Sequence, residues 1–295
     1  MRQVPEVILR TRARVGEGPI WDNQKQNLFW IDVLEGKVSR FDPLTGINSV
    51  FSIGKHVGAI ALTDSHVILV AARDELLSLD LRDSSLSGFQ HIVRDENIRF
   101  NDGRVDARGR FVIGTMGYNP QPGTAAVYSV DGSGAVETMI KNVGLSNGLC
   151  WTEDNRYMYY IDTLSAEVTR FSYDLETGKV SNRSTLIKFE SSQGLPDGMT
   201  IDCEGNLWIG FWGGGCIRRV SAQGKIISEH EIPVSRVTSA AFGGQNLDKL
   251  FITTASHQLS EEEFQREPLA GSIFVLQTDT QGRPEYRMKL TKQER

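Results

Sequence analysis

The chain has 295 residues, of which 39% are apolar and 23% charged, and its formal net charge is −5. This composition excludes a disordered chain, a fibrous protein and a coiled coil, and the mild acidity gives no sign of a nucleic-acid-binding surface. The 29 glycines and 9 prolines favour many short strands joined by turns over long helices.

Cysteine usage and hydropathy bear on where the protein is expected to act. Cys150, Cys203 and Cys216 form no CxxC pair and no cluster with histidine, which fits a reducing compartment. Residues 1–14 lack the apolar core of a signal peptide, and no stretch reaches the roughly 20 apolar residues of a membrane span. We therefore expect a cytoplasmic protein without membrane contact, monomeric or weakly self-associating.

In chain order, six short apolar runs resemble one another and predict buried strands. The runs are residues 29–32, 68–71, 111–114, 159–162, 207–210 and 250–253. Their first residues are spaced 39, 43, 48, 48 and 43 positions apart. Self-similarity at such an interval is typical of a repeat architecture.

Further predicted strands surround each apolar run. A corner with glycine or small residues precedes the run and opens a first strand. A segment alternating in apolar and polar residues follows it, as in residues 36–42 and 166–172. Alternation with a period of two indicates a half-buried strand. Loops such as residues 42–46 and 174–178 then turn the chain into a fourth strand.

Four antiparallel strands repeated about every 45 residues indicate a propeller blade. We predict an all-β fold, a six-bladed β-propeller of four-stranded antiparallel blades, forming a single domain over residues 1–295. Two unrelated β-sandwiches are the alternative. Closure of the ring needs one further strand, for which residues 5–10 and 284–290 are both candidates. Residues 258–268 are expected to form a surface helix or loop in the last blade.

The corners that open the six first strands differ in their chemistry. The first strand of each blade lines the central channel, so equivalent corners converge at one mouth. Two corners carry small neutral residues, around Gly58 and Ser239. The polar residues at the other corners are Glu17, Asn101, Asn147 and Asp197. Arg99 is expected at the same mouth, where it could bind anionic or hydroxylated ligands.

Glu17, Asn147 and Asp197 would present two carboxylates and an amide oxygen to one point on the channel axis. Carboxylates facing each other in a narrow channel repel, and a divalent cation neutralises them. All-oxygen ligands favour a hard cation, Ca²⁺ by preference, with Mg²⁺, Mn²⁺, Zn²⁺ or Fe²⁺ compatible. Asn-Gly and Asp-Gly pairs also form turns, which offers a purely structural explanation for every polar corner except Glu17.

Five motifs, taken together and in order, resemble the family of gluconolactonase, regucalcin (senescence marker protein) and luciferin-regenerating enzyme. The motifs occupy residues 16–21, 99–103, 114–116, 146–148 and 195–199, and they read GEGPIW, RFNDG, GTM, SNG and LPDGM. The resemblance extends over about residues 4–290. It implies a six-bladed propeller, one divalent metal in the channel and hydrolysis of sugar lactones.

The resemblance also implies roles for individual residues. The metal ligands of the family fall on Glu17, Asn147 and Asp197, and Asp197 also falls on the position of the general base. The substrate-contacting pair falls on Arg99 and Asn101. Some members carry an acidic residue after the GTM motif, where this chain reads Gly117-Tyr118-Asn119. Asn119 or Tyr118 would take its place in binding substrate, which leaves the preferred sugar open.

These observations predict metal-dependent hydrolysis of a sugar aldonolactone, with a small-molecule lactone rather than a nucleic acid as the partner. Metal-bound water has a lowered pKa, which supplies a nucleophile. Hydrolysis of an organophosphate triester at the same metal site is one alternative, against which Arg99 and Asn101 argue. A non-catalytic metal-binding propeller scaffold is another. The clustering of irregular polar residues at channel corners, rather than on blade rims, argues against it.

Overall fold

The computed structural model describes residues 4–291, which are almost entirely strands and turns. Within that range the strands are, in chain order, β1 (Glu6–Leu9), β2 (Gly16–Asp22), β3 (Asn27–Asp32), β4 (Lys37–Phe41), β5 (Asn48–Ser52), β6 (Val57–Leu62), β7 (Val67–Ala72), β8 (Glu75–Asp80), β9 (Leu86–His91), β10 (Ile98–Val105), β11 (Phe111–Gly117), β12 (Ala125–Val130), β13 (Val136–Val143), β14 (Ser146–Trp151), β15 (Tyr157–Asp162), β16 (Glu167–Asp174), β17 (Lys179–Lys188), β18 (Leu195–Ile201), β19 (Leu207–Trp212), β20 (Cys216–Val220), β21 (Ile226–Glu231), β22 (Val237–Gly243), β23 (Lys249–Thr254) and β24 (Ile273–Gln277). The helical segments are α1 (Glu261–Arg266) and two 3₁₀ turns, Thr163–Ser165 and Ser191–Gln193.

The strands form six four-stranded antiparallel sheets, so the predicted six-bladed propeller is confirmed. Blades 1 to 5 each use four consecutive strands, from β2–β5 through β18–β21. The innermost strands β2, β6, β10, β14, β18 and β22 pack against one another around the channel. The six predicted apolar runs are the second strands of the blades. The helix expected within residues 258–268 is α1, in the last blade.

The N-terminal strand closes the ring. Blade 6 has the order β1-β24-β23-β22, and β1 pairs antiparallel with β24, with Val7 opposite Phe274. Of the two candidate segments, residues 5–10 supply the closing strand. Joining the two ends of the chain in one sheet removes the open edge that an unclosed sixth blade would expose.

The hydrophobic core lies between the blades. The innermost and second strands are buried along nearly their whole length, as in β6 and β22. Outermost strands such as β9 and β21 are mostly exposed. The largest fully buried side chains include Trp208, Phe29, Phe100, Phe111 and Phe211. Burial of these rings between neighbouring sheets stabilises the ring by the hydrophobic effect.

Every innermost strand has a β-bulge near its start. One extra residue of the innermost strand interrupts the pairing with the second strand in each blade. The interruptions lie between Glu17 and Ile20, Val57 and Ala59, Phe100 and Gly103, Asn147 and Leu149, Pro196 and Met199, and Val237 and Ala240. Bulges of this kind redirect side chains at strand ends. The polar residues predicted for the site lie at or beside these bulges.

Close approach between neighbouring innermost strands requires glycine at three of the bulges, and a Cβ atom on Gly58 would lie 2.5 Å from the Phe100 carbonyl carbon. A Cβ atom on Gly198 would lie 2.1 Å from Ser239 Oγ, and one on Gly148 would lie 2.6 Å from Met199 Cβ. Real Cβ atoms do not approach other heavy atoms so closely, so a larger residue would push the strands apart. The glycines in the Asn-Gly and Asp-Gly pairs therefore serve the packing of blades.

The C-terminal segment crosses the far mouth of the channel, opposite the bulges. We call residues 278–291 the C-terminal strap. Its backbone bonds to several blades, with Gly282 N–H donating to the Leu247 carbonyl at 2.7 Å and Met288 N–H donating to the Leu62 carbonyl at 2.8 Å. Residues 284–290 thus bridge the ends of innermost strands instead of forming the closing strand of a blade.

Two buried ion pairs hold the strap in place. Arg104 Nη1 donates to Glu285 Oε1 at 2.6 Å, and Arg287 pairs with Asp22 at the end of β2. The Arg287 guanidinium also donates to the Thr63 carbonyl at 2.6 Å.

None of the helices in the described range is long and apolar enough to span a membrane.

Candidate functional site

Glu17 lies at the start of β2, and the preceding loop is shaped by a second carboxylate. The Asp32 carboxylate, at the end of β3, accepts hydrogen bonds from the Arg14 N–H at 2.9 Å and the Val15 N–H at 3.3 Å. This fixes the entry of the chain into the channel wall. Gly18 follows with a φ of +52°, and its N–H donates to Glu17 Oε2 at 2.7 Å.

The Glu17 carboxyl is buried, at 8% exposure, beside other acidic groups. Its pKa is raised well above the ordinary value, chiefly because burial penalises the charged form, and then because of the charges of Asp197 and Asp102. The Gly18 N–H and the Arg99 guanidinium oppose this rise. The site therefore contains more negative charge than its surroundings neutralise.

Asn147, at the start of β14 in blade 4, is positioned in a similar way. The Asp162 carboxylate at the end of β15 accepts from the N–H groups of Gly144 and Leu145, both at 2.9 Å. The Asn147 side chain is 4% exposed, and its Nδ2 donates to Thr163 Oγ1 at 2.8 Å. That bond fixes the side-chain amide, so that its oxygen points away from Thr163.

A chain of hydrogen bonds joins three blades at this level. Arg99 Nη1 donates to Asn101 Oδ1 at 3.0 Å, and Asn101 Nδ2 donates to Asn147 Oδ1 at 3.0 Å. Thr163, which holds Asn147, donates in turn to the Pro196 carbonyl at 2.8 Å. The structure therefore brings together the predicted substrate pair and one predicted metal ligand. The Asn147 oxygen keeps one lone pair free for a further partner.

Asp197 follows Pro196 at the start of β18 in blade 5. It is 8% exposed, and its pKa is raised well above the ordinary value, first by burial and then by the charge of Asp102. The Arg99 guanidinium and a hydrogen bond from Asn147 oppose the rise. Asp197, Asn147 and Glu17 therefore act on one another electrostatically or by hydrogen bonding, although they come from three blades.

Asp102 is a fourth member of the site that the sequence analysis missed. Its carboxyl is buried, accepts from the Gly103 N–H at 2.7 Å, and raises the pKa of both Glu17 and Asp197. Its own pKa is raised by burial, and Arg104 opposes that rise. The available signal is the aspartate within the Asn101-Asp102-Gly103 corner, which the sequence analysis does not single out. Thr163 was also missed, and nothing in its sequence context distinguishes it.

The predicted ligands fit a hard divalent cation in their chemistry. They would offer two buried carboxylates, whose mutual repulsion a dication relieves, and one amide oxygen fixed in direction. Between residues 4 and 291, no three His, Cys, Asp or Glu side chains are grouped so as to hold a metal ion. A cation here would therefore depend on the Asn147 oxygen as its third protein ligand.

The segment after β11 lies at the same mouth. Tyr118 is 46% exposed, and its hydroxyl lies 3.2 Å from His56 Nδ1 of the neighbouring blade. It also interacts electrostatically with Arg99. Asn119 is exposed, and the structure gives its side chain no contact with Arg99 or Asn101. The role of Asn119 in binding substrate stays a prediction.

Three comparisons with known proteins bear on this geometry. Residues 15–256 match the family model described as SMP-30/Gluconolactonase/LRE-like region. A Bacillus subtilis (strain 168) protein that bears the name sugar lactone lactonase YvrE is 38% identical over 274 residues, 92% of this chain and 94% of that protein. Regucalcin of Danio rerio is 36% identical over 285 residues, 95% and 97% of the two chains.

A solved structure is similar over the whole ring. The crystal structure of regucalcin from Agrobacterium tumefaciens strain C58, described there as a calcium-binding protein, superimposes with a TM-score of 0.93 at 27% identity. The match covers 98% of each chain.

Proposed function

Because the chain belongs to the SMP-30/Gluconolactonase/LRE-like family, we propose that it hydrolyses a sugar aldonolactone to the aldonic acid with the help of one divalent cation. The observation that carries this proposal is the convergence of two buried carboxyl groups and one oriented amide oxygen at a single mouth of the channel. Neither carboxylate forms an ion pair with an arginine or lysine in the described part of the chain.

Glu17, Asn147 and Asp197 would hold the cation. When bound, the cation would supply positive charge that polarises the lactone carbonyl and lowers the pKa of water. Ca²⁺ is our first choice because oxygen ligands suit it and because the Agrobacterium relative is described as calcium-binding. Asn101, which donates to the Asn147 oxygen, would keep that oxygen directed into the channel.

Hydrolysis adds one water molecule across the ester bond of the lactone ring. The water oxygen bonds to the carbonyl carbon, the bond from that carbon to the ring oxygen breaks, and the ring oxygen leaves as a hydroxyl group. An Oδ atom of Asp197 would accept a proton from the attacking water and return it to the ring oxygen. Burial and the charge of Asp102 raise the pKa of Asp197, which strengthens its carboxylate as a base.

A cation bound to Asp197 would lower that pKa again, because a nearby positive charge favours the ionised form. Asp102 would counter this effect, since its charge acts in the opposite direction. A lactone is an activated ester, so a base of modest strength suffices. Asp102 therefore supports the proposed role of Asp197 without touching the substrate.

Arg99 and Asn101 would orient the ring of the substrate. Each is already held in place, Arg99 by bonds to the Phe100 carbonyl at 2.8 Å and to Asn101, and Asn101 by a bond to the Ser146 carbonyl at 2.8 Å. Side chains that need no rearrangement on binding lower the entropic cost of orienting a substrate. Asn119 remains the candidate for a further substrate contact at the rim.

The direct test measures acid release from glucono-δ-lactone in a pH-stat, corrected for spontaneous hydrolysis. We expect the rate to fall to the spontaneous background after the metal is stripped with a chelator, and to return on addition of Ca²⁺. Calcium binding measured by calorimetry should disappear in Glu17→Gln and remain in Asp83→Asn, which removes an exposed carboxylate far from the channel. An unchanged rate after verified removal of metal would reject metal-dependent hydrolysis.

A further inference from the structure

One side of the site mouth carries cationic and aromatic groups that extend outward from Arg99. Backbone hydrogen bonds tie them together across two blades. The Arg73 N–H donates to the His56 carbonyl at 2.7 Å, and the Phe100 N–H donates to the Arg73 carbonyl at 2.7 Å. We call His56, Arg73, Arg99 and Tyr118 the cationic rim.

Tyr118 anchors the outer edge of the cationic rim. Its hydroxyl lies 3.2 Å from His56 Nδ1, and the two ring centroids are 5.6 Å apart. The Tyr118 N–H also donates to the Asn97 carbonyl at 2.9 Å. Because the side chain is 46% exposed, a ligand at the mouth can still reach the ring and the hydroxyl.

Arg99 is a buried cation without an ion pair in the described range, although the charges of Glu17 and Asp197 act on it from further away. It is 8% exposed, and within residues 4–291 its guanidinium forms hydrogen bonds through Nη1 alone, to the Phe100 carbonyl and Asn101 Oδ1. Both acceptors are neutral. Burying a charge without a contacting counter-ion is costly. A ligand that brings a negative charge would offset this cost.

The nearest carboxylates of blade 2 are already engaged elsewhere. Asp74 lies 3.3 Å from His91 Nε2, and Glu75 pairs with Lys55 at 2.5 Å. Within the described range, the Arg73 guanidinium forms one long hydrogen bond of 3.4 Å, to the Glu96 carbonyl, and no ion pair. The cationic rim therefore keeps two guanidinium groups available for an anion.

We propose that the lactone hydrolysed at this site carries an anionic substituent, a carboxylate or a phosphate, which the cationic rim binds through Arg99, Arg73 and the Tyr118 hydroxyl. The inference rests on the proposed lactonase function and adds the chemical class of the substrate. Guanidinium groups bind carboxylates and phosphates through paired hydrogen bonds, which makes such contacts both strong and directional.

An anion explains the cationic rim better than ring hydroxyls do. A neutral hydroxyl could accept a hydrogen bond from Arg99, but it brings no negative charge. The carboxylates that act on Arg99 are those of Glu17 and Asp197, which the proposed cation would engage. Burial lowers the pKa of Arg99 to about 10, although the charges of Tyr118, Glu17 and Asp197 act in the opposite direction. The pKa of His56 is lowered by burial and by the charges of Arg99, Arg14 and Arg73, which reflects the same positive potential.

The test compares kcat/KM for three lactones of the same ring: neutral glucono-δ-lactone, a glucaro-lactone with a carboxylate at the far end, and 6-phosphogluconolactone. We expect at least one anionic lactone to exceed the neutral lactone by about tenfold, which corresponds to about 1.4 kcal/mol. That advantage should shrink as ionic strength rises, since salt screens attraction between exposed charges.

Variants test whether the cationic rim causes the preference. Arg73→Gln should lower the ratio of kcat/KM for the anionic lactone to that for the neutral one by about fivefold, and Arg73→Lys should largely retain it. The ratio does not depend on how much of a variant is folded. Arg82→Gln is the matched control, because it removes an exposed arginine from the turn between β8 and β9.

The outcomes separate this inference from the proposed function. Hydrolysis of glucono-δ-lactone with no preference for either anionic lactone would overturn the inference and leave the lactonase proposal standing. Failure with all three lactones would overturn both. A preference that persists unchanged in Arg73→Gln would reject the role of the cationic rim. Which anionic lactone is preferred identifies the substituent as carboxylate or phosphate.

Discussion

The two mouths of the channel treat buried carboxylates in opposite ways. At the far mouth, the innermost strands of blades 1, 3 and 5 end in or just before an aspartate that is buried and paired with an arginine. The pairs are Asp22–Arg287, Asp106–Arg110 and Asp202–Arg219. At the site mouth, Glu17 and Asp197 are also buried but have no such partner among the described residues. The same blades thus carry structural charges at one end and unneutralised charges at the other.

Asp202 illustrates how completely the far mouth satisfies its charges. One oxygen accepts from the N–H groups of Glu204 at 3.0 Å and Asn206 at 2.8 Å. The other accepts from the indole of Trp208 at 3.0 Å and from Arg219 Nε at 2.8 Å. Such a carboxylate needs nothing from outside the protein. Glu17, by contrast, receives one hydrogen bond from the residues that the structure describes, from the Gly18 N–H.

This difference indicates which charges the fold uses for stability and which it holds for a ligand. Removing one partner of a buried ion pair destabilises the protein. Unpaired groups with shifted pKa values are typical of functional sites. Removing a carboxylate should therefore reduce activity at the site mouth and stability at the far mouth.

The largest effect is expected for Asp197→Asn at the site mouth. The activity on glucono-δ-lactone should fall about 10³-fold, because the proposed base is lost and one cation ligand is weakened. The midpoint of thermal unfolding of the metal-free protein should not fall, since a buried unpaired charge is removed. Steady-state kinetics with metal content measured in parallel, together with calorimetry, provide both values. Full activity with metal bound would remove Asp197 from the role of base.

The matching change at the far mouth is Asp202→Ala. It removes the buried partner of Arg219, which keeps only the exposed carboxylates of Glu204 at 3.1 Å and Asp279 at 3.9 Å. The change should lower the free energy of unfolding by about 3–5 kcal/mol. The value of kcat per folded molecule should stay the same, because the far mouth takes no part in the reaction. Urea unfolding and active-site titration measure the two quantities, with the exposed Asp83→Ala as the control. Equal stability of the variant and the parent protein would contradict a structural role for the pair.

A smaller loss of stability is expected when the site mouth is altered without a change in charge. Gly198→Ala places a methyl group 2.1 Å from Ser239 Oγ and should cost about 1–3 kcal/mol through the displacement of blades 5 and 6. Gly88→Ala, in the outer strand β9, has open space around the new methyl group and serves as the control. Urea unfolding gives the free energy of unfolding of both variants and of the parent protein. An unchanged free energy of unfolding in Gly198→Ala would show that the blades can separate at the bulge.

The smallest effect is a dependence of stability on pH in the metal-free protein. The pKa values of Glu17 and Asp197 are raised in the folded state. Both states are protonated well below about pH 4, so these groups impose no penalty there. As pH rises, the unfolded state loses its protons first, and stability falls until pH passes the folded pKa. Thermal unfolding across pH 4 to 8 should show this fall, reduced by Ca²⁺ and by Glu17→Gln. A flat profile would contradict the raised pKa values.

The predictions from sequence succeeded where local patterns carry the information. Residues 29–32 and the five similar runs became second strands, because short apolar runs of β-forming residues bounded by turn residues favour strands. Glu17 was recognised as unusual because glutamate has no turn role, and the structure buries it at the site mouth. The cation ligands and the substrate contacts at Arg99, Asn101 and Asn119 stay predictions.

Other features depended on contacts between distant parts of the chain. The choice between residues 5–10 and 284–290 as the closing strand could not be made locally, because both segments have strand-like composition. Asp102 is not among the predicted site residues, because its influence on Glu17 and Asp197 arises only when three blades meet. Thr163 became important only because its hydroxyl lies between Asn147 and the Pro196 carbonyl.

The amino-acid sequence by itself determined the number of blades, their four strands and the polar character of the corners, because periodicity and turn chemistry act over a few residues. The tertiary structure decided the partners of those buried carboxylates whose arginines lie far away in the chain. Pairs such as Arg104 with Glu285 and Asp22 with Arg287 join residues far apart in the chain. Such contacts form only when the ring closes and the strap crosses the far mouth. The strap supplies no arginine to the carboxylates at the site mouth, and in the described range they have no counter-ion from the protein.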